Sequence, residues 1–115
     1  MQPESRKLVE DLRQAAEAVV RLVRNRTYAE YCADEAVRWA VERQFIVIGE
    51  ALSQLGKRDP DLLRSIAEAP RVIAFRNVLV HDYGQVDDDI VFDAAANRTV
   101  ALAQAAAALL EAEDA

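Results

Sequence analysis

The chain has one histidine, His81, and one cysteine, Cys32. A lone histidine cannot assemble the usual zinc sites, and with one cysteine there is no cysteine–histidine cluster, so no metal site is expected. A single thiol also excludes an internal disulfide and fits a reducing cytoplasm. No run of about 18 uncharged apolar residues exists, so no membrane-spanning helix is expected. Met1 to Lys7 leads directly into a charged amphipathic stretch, without the apolar centre of a signal peptide. Three glycines and three prolines in 115 residues rich in alanine and leucine point to an all-α domain. Lysine is scarce too: Lys7 and Lys57 leave twelve of the fourteen basic side chains to arginine.

That length supports one core and therefore a single domain, residues 1–115. The formal charge of −6 argues against a non-specific nucleic-acid binder, which normally carries a net basic face. Arginine, however, suits bidentate contact with phosphate, so an arginine-lined cleft is compatible with an acidic protein.

Leu8, Leu12, Ala15, Val19 and Leu22 recur at steps of three and four, which predicts a first helix from Pro3 to Arg24. Thr27 to Glu30 has the form of a capping box. Asp34 is placed to cap a long helix ending at Gly56, with Val37, Val41, Phe45, Ile48, Leu52 and Leu55 as its main stripe. Phe45 to Ile48 is apolar all round, so either this helix is central or its second face meets another subunit. Asp59-Pro60 starts a short helix that stops before Pro70. A further helix is expected from Arg71 to Asp82, closed by Gly84, and a last one from Asp87 through the alanine-rich tail to Glu111. The expected architecture is an up-down bundle of four to five helices with short connections.

The segment from Arg76 to Tyr83 concentrates the chemistry. His81 is the only side chain here that ordinarily titrates near neutral pH. A base beside a permanent cation suits a reaction that builds negative charge on phosphorus. At 100° per residue Arg76 and Tyr83 share a helix face, and His81 lies about 140° from Arg76. Asn77 is placed to hold a ring nitrogen of His81 or a phosphate oxygen. The plainer reading of His81 is a helix-end cation stabilised by the dipole, and that of Tyr83 a half-buried packing aromatic.

Arg76-x4-His81-x-Tyr83 matches the Arg-x4-His-x-Tyr motif of HEPN domains. With Ala40 to Arg43, Ile48-Gly49-Glu50-Ala51 and Asp59-Pro60, it resembles the HepT branch over roughly residues 8 to 110. The resemblance implies a homodimeric helical bundle whose two motifs face a shared cleft. It also implies a metal-independent ribonuclease toxin paired with an MntA-like nucleotidyltransferase antitoxin. That partner would use ATP and magnesium to attach AMP to Tyr83, while the toxin itself needs no cofactor. One element departs from the family: Pro-x-Ile-Pro-Trp before the catalytic helix is replaced by Ser65 to Pro70.

On this reading Arg76 stabilises the phosphorane, His81 transfers protons and Asn77 orients, while a dimer mate contributes the second His81 that acid–base catalysis needs. Glu50 lies on the apolar side of its helix, where a carboxylate needs a partner. An orienting ion pair with an arginine such as Arg76 and a plain surface position both stand open. Trp39 and Phe45 are expected in the core or a dimer interface, and Asp87-Asp88-Asp89 as a solvated helix cap rather than a magnesium site. The competing function is a non-catalytic HEPN-like module that binds a nucleotidyltransferase.

Overall fold

The computed structural model describes residues 1–82, 84 and 86–114, and Tyr83 lies outside them. Seven helices are present among the described residues: α1 (Pro3–Val23), α2 (Tyr28–Ala33), α3 (Glu35–Arg58), α4 (Pro60–Arg64), α5 (Ala69–His81), α6 (Asp88–Asn97) and α7 (Thr99–Asp114). The protein is an all-α helical bundle, as composition and periodicity predict.

Several helix starts follow from local chemistry. Thr27 Oγ1 accepts from the Glu30 backbone N–H at 3.1 Å while Glu30 accepts from the Thr27 N–H at 2.8 Å, a complete capping box. Asp34 and Asp59 each accept from a backbone N–H three residues on and so start α3 and α4. Asp87 caps α6 through the Asp89 N–H at 2.9 Å.

Four boundaries differ from expectation. α3 runs past Gly56 to Arg58, because that glycine is helical and serves packing: a Cβ there would stand 2.8 Å from Leu63 Cδ2 of α4. α5 begins before Pro70, which occupies its first turn, where a missing N–H costs nothing. It ends at His81 with Asp82 as cap, so Gly84 does not terminate it, and no described glycine has positive φ. The left-handed residue is instead Asn25 (φ 62°), just past α1. The predicted C-terminal helix is two helices, broken at Arg98, where the buried Thr99 hydroxyl donates back to the Ala94 carbonyl at 3.0 Å. Such back-bonding competes with continuous helix, and it occurs without glycine or proline.

α1, α3 and α7 form the bundle's centre, with α1 between the other two. α1 and α7 run antiparallel, since the Met1 ammonium and Arg6 meet Glu113 and Asp114. Leu12, Val19, Val41, Phe45, Ile48, Leu52, Leu55 and Leu102 on these helices are fully buried, each worth about 1.5–3 kcal/mol of transfer free energy. Ser65 to Pro70 still plugs the core, through buried Ile66 and Ala69. α5 lies at the edge, resting on α3 and touching other helices only marginally. No described helix is long and apolar enough to cross a membrane.

Candidate active site on α3 and α5

α5 crosses α3 where Gly49 meets Arg76. A Cβ on Gly49 would overlap Arg76 Cβ and stand 2.5 Å from its Cγ, so only glycine allows this approach. The Ile48-Gly49-Glu50-Ala51 segment therefore has a mechanical meaning: its glycine seats the arginine stem, and the next residue meets the head. Arg76 Nη2 donates to Glu50 Oε2 at 2.9 Å and Nη1 donates to Asn77 Oδ1 at 3.0 Å. Glu50 Oε1 accepts in turn from Gln54 Nε2 at 3.1 Å. The guanidinium is thus gripped from two sides, and its Nε is buried without an acceptor among the described residues.

The ion pair anticipated for Glu50 is present. Half-exposed pairs of this kind contribute at most about 1 kcal/mol to stability, so its main effect is to aim the guanidinium. Asn77 turns its carbonyl oxygen to Arg76 rather than to His81, which sequence spacing did not reveal.

Arg76 opens onto a cleft of about 420 Å³ between α1, α3 and α5, lined also by Arg43, Ile46, Val47, Glu50 and Asp11. His81 does not line it. On α5 the buried residues Val72 and Leu79 lie on the Arg76 side, whereas Ala74, Val78 and His81 are exposed on the opposite side. The 140° predicted between Arg76 and His81 is thus realised as divergence: within one chain, arginine faces the cleft and histidine faces outward. Tyr83 belongs to the residues that are not described.

Of the two aromatic residues singled out, Phe45 is buried and stacks edge-on against Phe75 at 5.1 Å. Trp39 is not in the core: it is 62% exposed, because it stands on the side of α3 opposite the buried Val37, Val41 and Ile48. Among the described residues no group of three or more histidine, cysteine, aspartate or glutamate side chains is arranged to hold a metal ion.

A second polar cluster, where α2 packs on α3 and α6, went unnoticed in the sequence. Burial raises the Glu42 carboxyl above its usual range; Asp88 adds to this and Arg38 opposes it. Burial likewise raises the Tyr31 phenol, whose hydroxyl has no partner among the described residues. Tyr28 is raised chiefly by the neighbouring Asp89 carboxylate. Tyr28 and Tyr31 both pack on Phe92, at 5.7 and 5.2 Å between ring centres, so this cluster fastens α2 to α6.

These features define a small helical bundle with the candidate site residues Glu50, Arg76, Asn77 and His81 carried on an edge helix and the helix beneath it. Residues 12–109 match the sequence profile of the ribonuclease HepT-like family, and the chain belongs to that family. No curated protein and no solved structure gives a significant match.

Proposed function

We propose that this chain is a metal-independent endoribonuclease, the toxin of a HepT/MntA-type (type VII) pair. The observation that carries the reading is the Arg76 guanidinium held between Glu50 and Asn77 at the mouth of a cleft, on the helix that also ends in His81. Arg76 meets the phosphate and stabilises the charge that develops on phosphorus. His81 removes the proton of the 2′-hydroxyl, the 2′-oxygen attacks phosphorus, and the bond to the 5′-oxygen breaks. An acid then protonates the leaving 5′-oxygen, giving a 2′,3′-cyclic phosphate and a 5′-hydroxyl.

Dimerisation supplies that acid. Because His81 faces away from the Arg76 of its own chain, the second copy has to be laid against the exposed α5 face so that its His81 also reaches a phosphate held by Arg76. Exposed Val78 and Val80 flank this face and offer the apolar area such contact needs. Neutralisation follows from an MntA-like nucleotidyltransferase that uses ATP and magnesium to add AMP to Tyr83. The added anion opposes substrate phosphate by size and charge.

The test is cleavage of single-stranded RNA in EDTA by the wild type, His81→Ala and Arg76→Ala proteins. Cleavage that depends on both residues supports the reading, and EDTA-resistant cleavage persisting in His81→Ala overturns it. The net charge of −6 favours a second reading, a non-catalytic module that binds the nucleotidyltransferase. Failure of the wild type to cut any RNA, together with stable binding of the partner, selects it. Mass spectrometry after incubation with partner, ATP and magnesium locates the AMP, which must vanish in Tyr83→Phe.

A further inference from the structure

The cleft around Arg76 does not end at Arg76. Residues 39, 43, 50 and 54 are separated by steps of four, seven and four, so they fall within about 60° of one another on the outer side of α3. Trp39 therefore stands one turn, about 6 Å, from Arg43, and Arg43 about 10 Å from Glu50 and its bound Arg76. Three properties of this stripe need a common explanation. Trp39 is the most exposed large apolar side chain among the described residues, whereas tryptophan is ordinarily well buried. Arg43 is exposed and makes no ion pair among the described residues, although acidic side chains outnumber basic ones by twenty to fourteen. Ile46 and Val47 form an apolar floor between Arg43 and the Arg76–Glu50 pair.

Among the described residues, charge bookkeeping in the cleft isolates one free cation. Glu50 is matched by Arg76 and Asp11 by Lys7, so the remaining charge is that of Arg43. An exposed indole followed by an unpaired guanidinium and an apolar strip is the combination that holds single-stranded nucleic acid: bases stack on the ring and phosphates meet the cation. A duplex does not fit, since its bases already stack on each other. A purely apolar partner surface is disfavoured by the unpaired Arg43 between Trp39 and the cleft.

We propose that the outer stripe of α3 is the track along which single-stranded RNA enters the Arg76 cleft, with Trp39 stacking on a base and Arg43 binding a phosphate. This rests on the ribonuclease reading of the same cleft and extends it to how the unpaired strand is held: gripped by Trp39 and Arg43 on the α3 side of the scissile bond. It also reconciles the acidic chain with an RNA substrate, because attraction is confined to one stripe.

Trp39 is the only tryptophan, so its fluorescence reports the contact directly. The intact protein is titrated with a single-stranded 2′-O-methyl oligoribonucleotide, which has no free 2′-hydroxyl to attack. Saturable quenching is expected. By anisotropy of the labelled oligonucleotide, Trp39→Ala weakens binding by about 5- to 100-fold, the range for loss of one stacked base, while Trp39→Phe retains most of it. Arg43→Ala weakens binding and lowers the slope of log affinity against log salt by about one, which Trp39→Ala does not. On a cleavable strand, both variants raise KM more than they lower kcat.

Absent quenching, or unchanged affinity in both variants, overturns the track. So does a Trp39→Ala protein whose self-association weakens while its RNA affinity holds, since that places the stripe between two copies. Quenching by the uncleavable strand without any cleavage of RNA keeps the track and overturns the ribonuclease reading instead. Cleavage that needs His81 but has the same KM in both stripe variants overturns only the track.

Discussion

Gly49 lies against the stem of Arg76 so closely that no side chain fits between them. The two residues are 27 apart in sequence, yet one sets the position of the other's charged head over Glu50. Gly49→Ala should cost about 1–3 kcal/mol, because the added methyl group meets the rigid start of a side chain rather than its flexible end. RNA cleavage should fall with it as α5 is displaced. Gly56→Ala is the control: it meets only Leu63 Cδ2, a movable methyl, and gains helix propensity, so stability should stay within about 1 kcal/mol of wild type. Urea denaturation of both proteins checks the contrast.

Replacing Arg76 by lysine should not preserve function. The guanidinium serves Glu50 and Asn77 with separate nitrogens, and one ammonium cannot reproduce that fork. Arg76→Lys should lose about 10²–10³ in kcat, the usual effect of removing a donor aimed at developing charge. Single-turnover cleavage rates measure this, and near-normal rates in Arg76→Lys would show that only its charge matters.

The proposed sharing of acid–base work between two copies of His81 makes a quantitative statement about mixed dimers. When wild type and His81→Ala are unfolded together in equal amounts and refolded, about one quarter of the dimers carry two histidines. Activity should therefore fall to about a quarter of the all-wild-type value. A fall to one half indicates that each histidine works alone.

Glu42 links stability to pH. Burial raises its carboxyl in the folded state, so the folded protein holds that proton more tightly than the unfolded chain does. The associated stability is complete below the ordinary carboxyl value of 4.5 and is lost as pH rises through the elevated folded value. At pH 7 the charged carboxylate is a burden, and Glu42→Gln should be more stable than wild type. The gain should be under about 1 kcal/mol, since Glu42 is partly solvated. Thermal melts at pH 7 and pH 4 test the sign, because the gap must close at the lower pH.

Tyr31→Phe should also stabilise. The ring is fully buried against Phe92 and its hydroxyl has no partner among the described residues, so phenylalanine keeps the packing and removes a desolvated polar atom. A gain of about 1 kcal/mol is expected by chemical denaturation. A loss of that size would reveal a hydrogen bond made by the hydroxyl in solution.

What was legible in the sequence was what neighbouring residues decide among themselves. The Thr27–Glu30 box, the Asp34 cap and the Asp59-Pro60 start depend on contacts three residues long, and each appears as read. Gly56 misled because its role is to admit Leu63, a residue of another helix. The break at Arg98 escaped because alanine-rich sequence carries no stop, and the cause is one buried hydroxyl, Thr99.

In the candidate site, the Glu50–Arg76 pair could be suspected from an acidic residue on an apolar face. That Asn77 turns to Arg76, and that Arg43 shares the cleft, depends on where α5 crosses α3, which periodicity does not determine. Trp39, expected in the core or an interface, is exposed instead. Its stripe, shared with Arg43 and Glu50, was present in the spacing and went unconnected.

α5 rests on one neighbour, while the rest of the bundle is packed from several sides. A helix anchored on a single face opens at lower free energy than the core around it, so its amides should exchange hydrogen soonest. The order of the helix bearing Arg76 and His81 is then set from outside, by whatever covers its free face. In the proposed dimer, abundance would become part of the chemistry, with a sparse protein leaving that helix looser than a concentrated one.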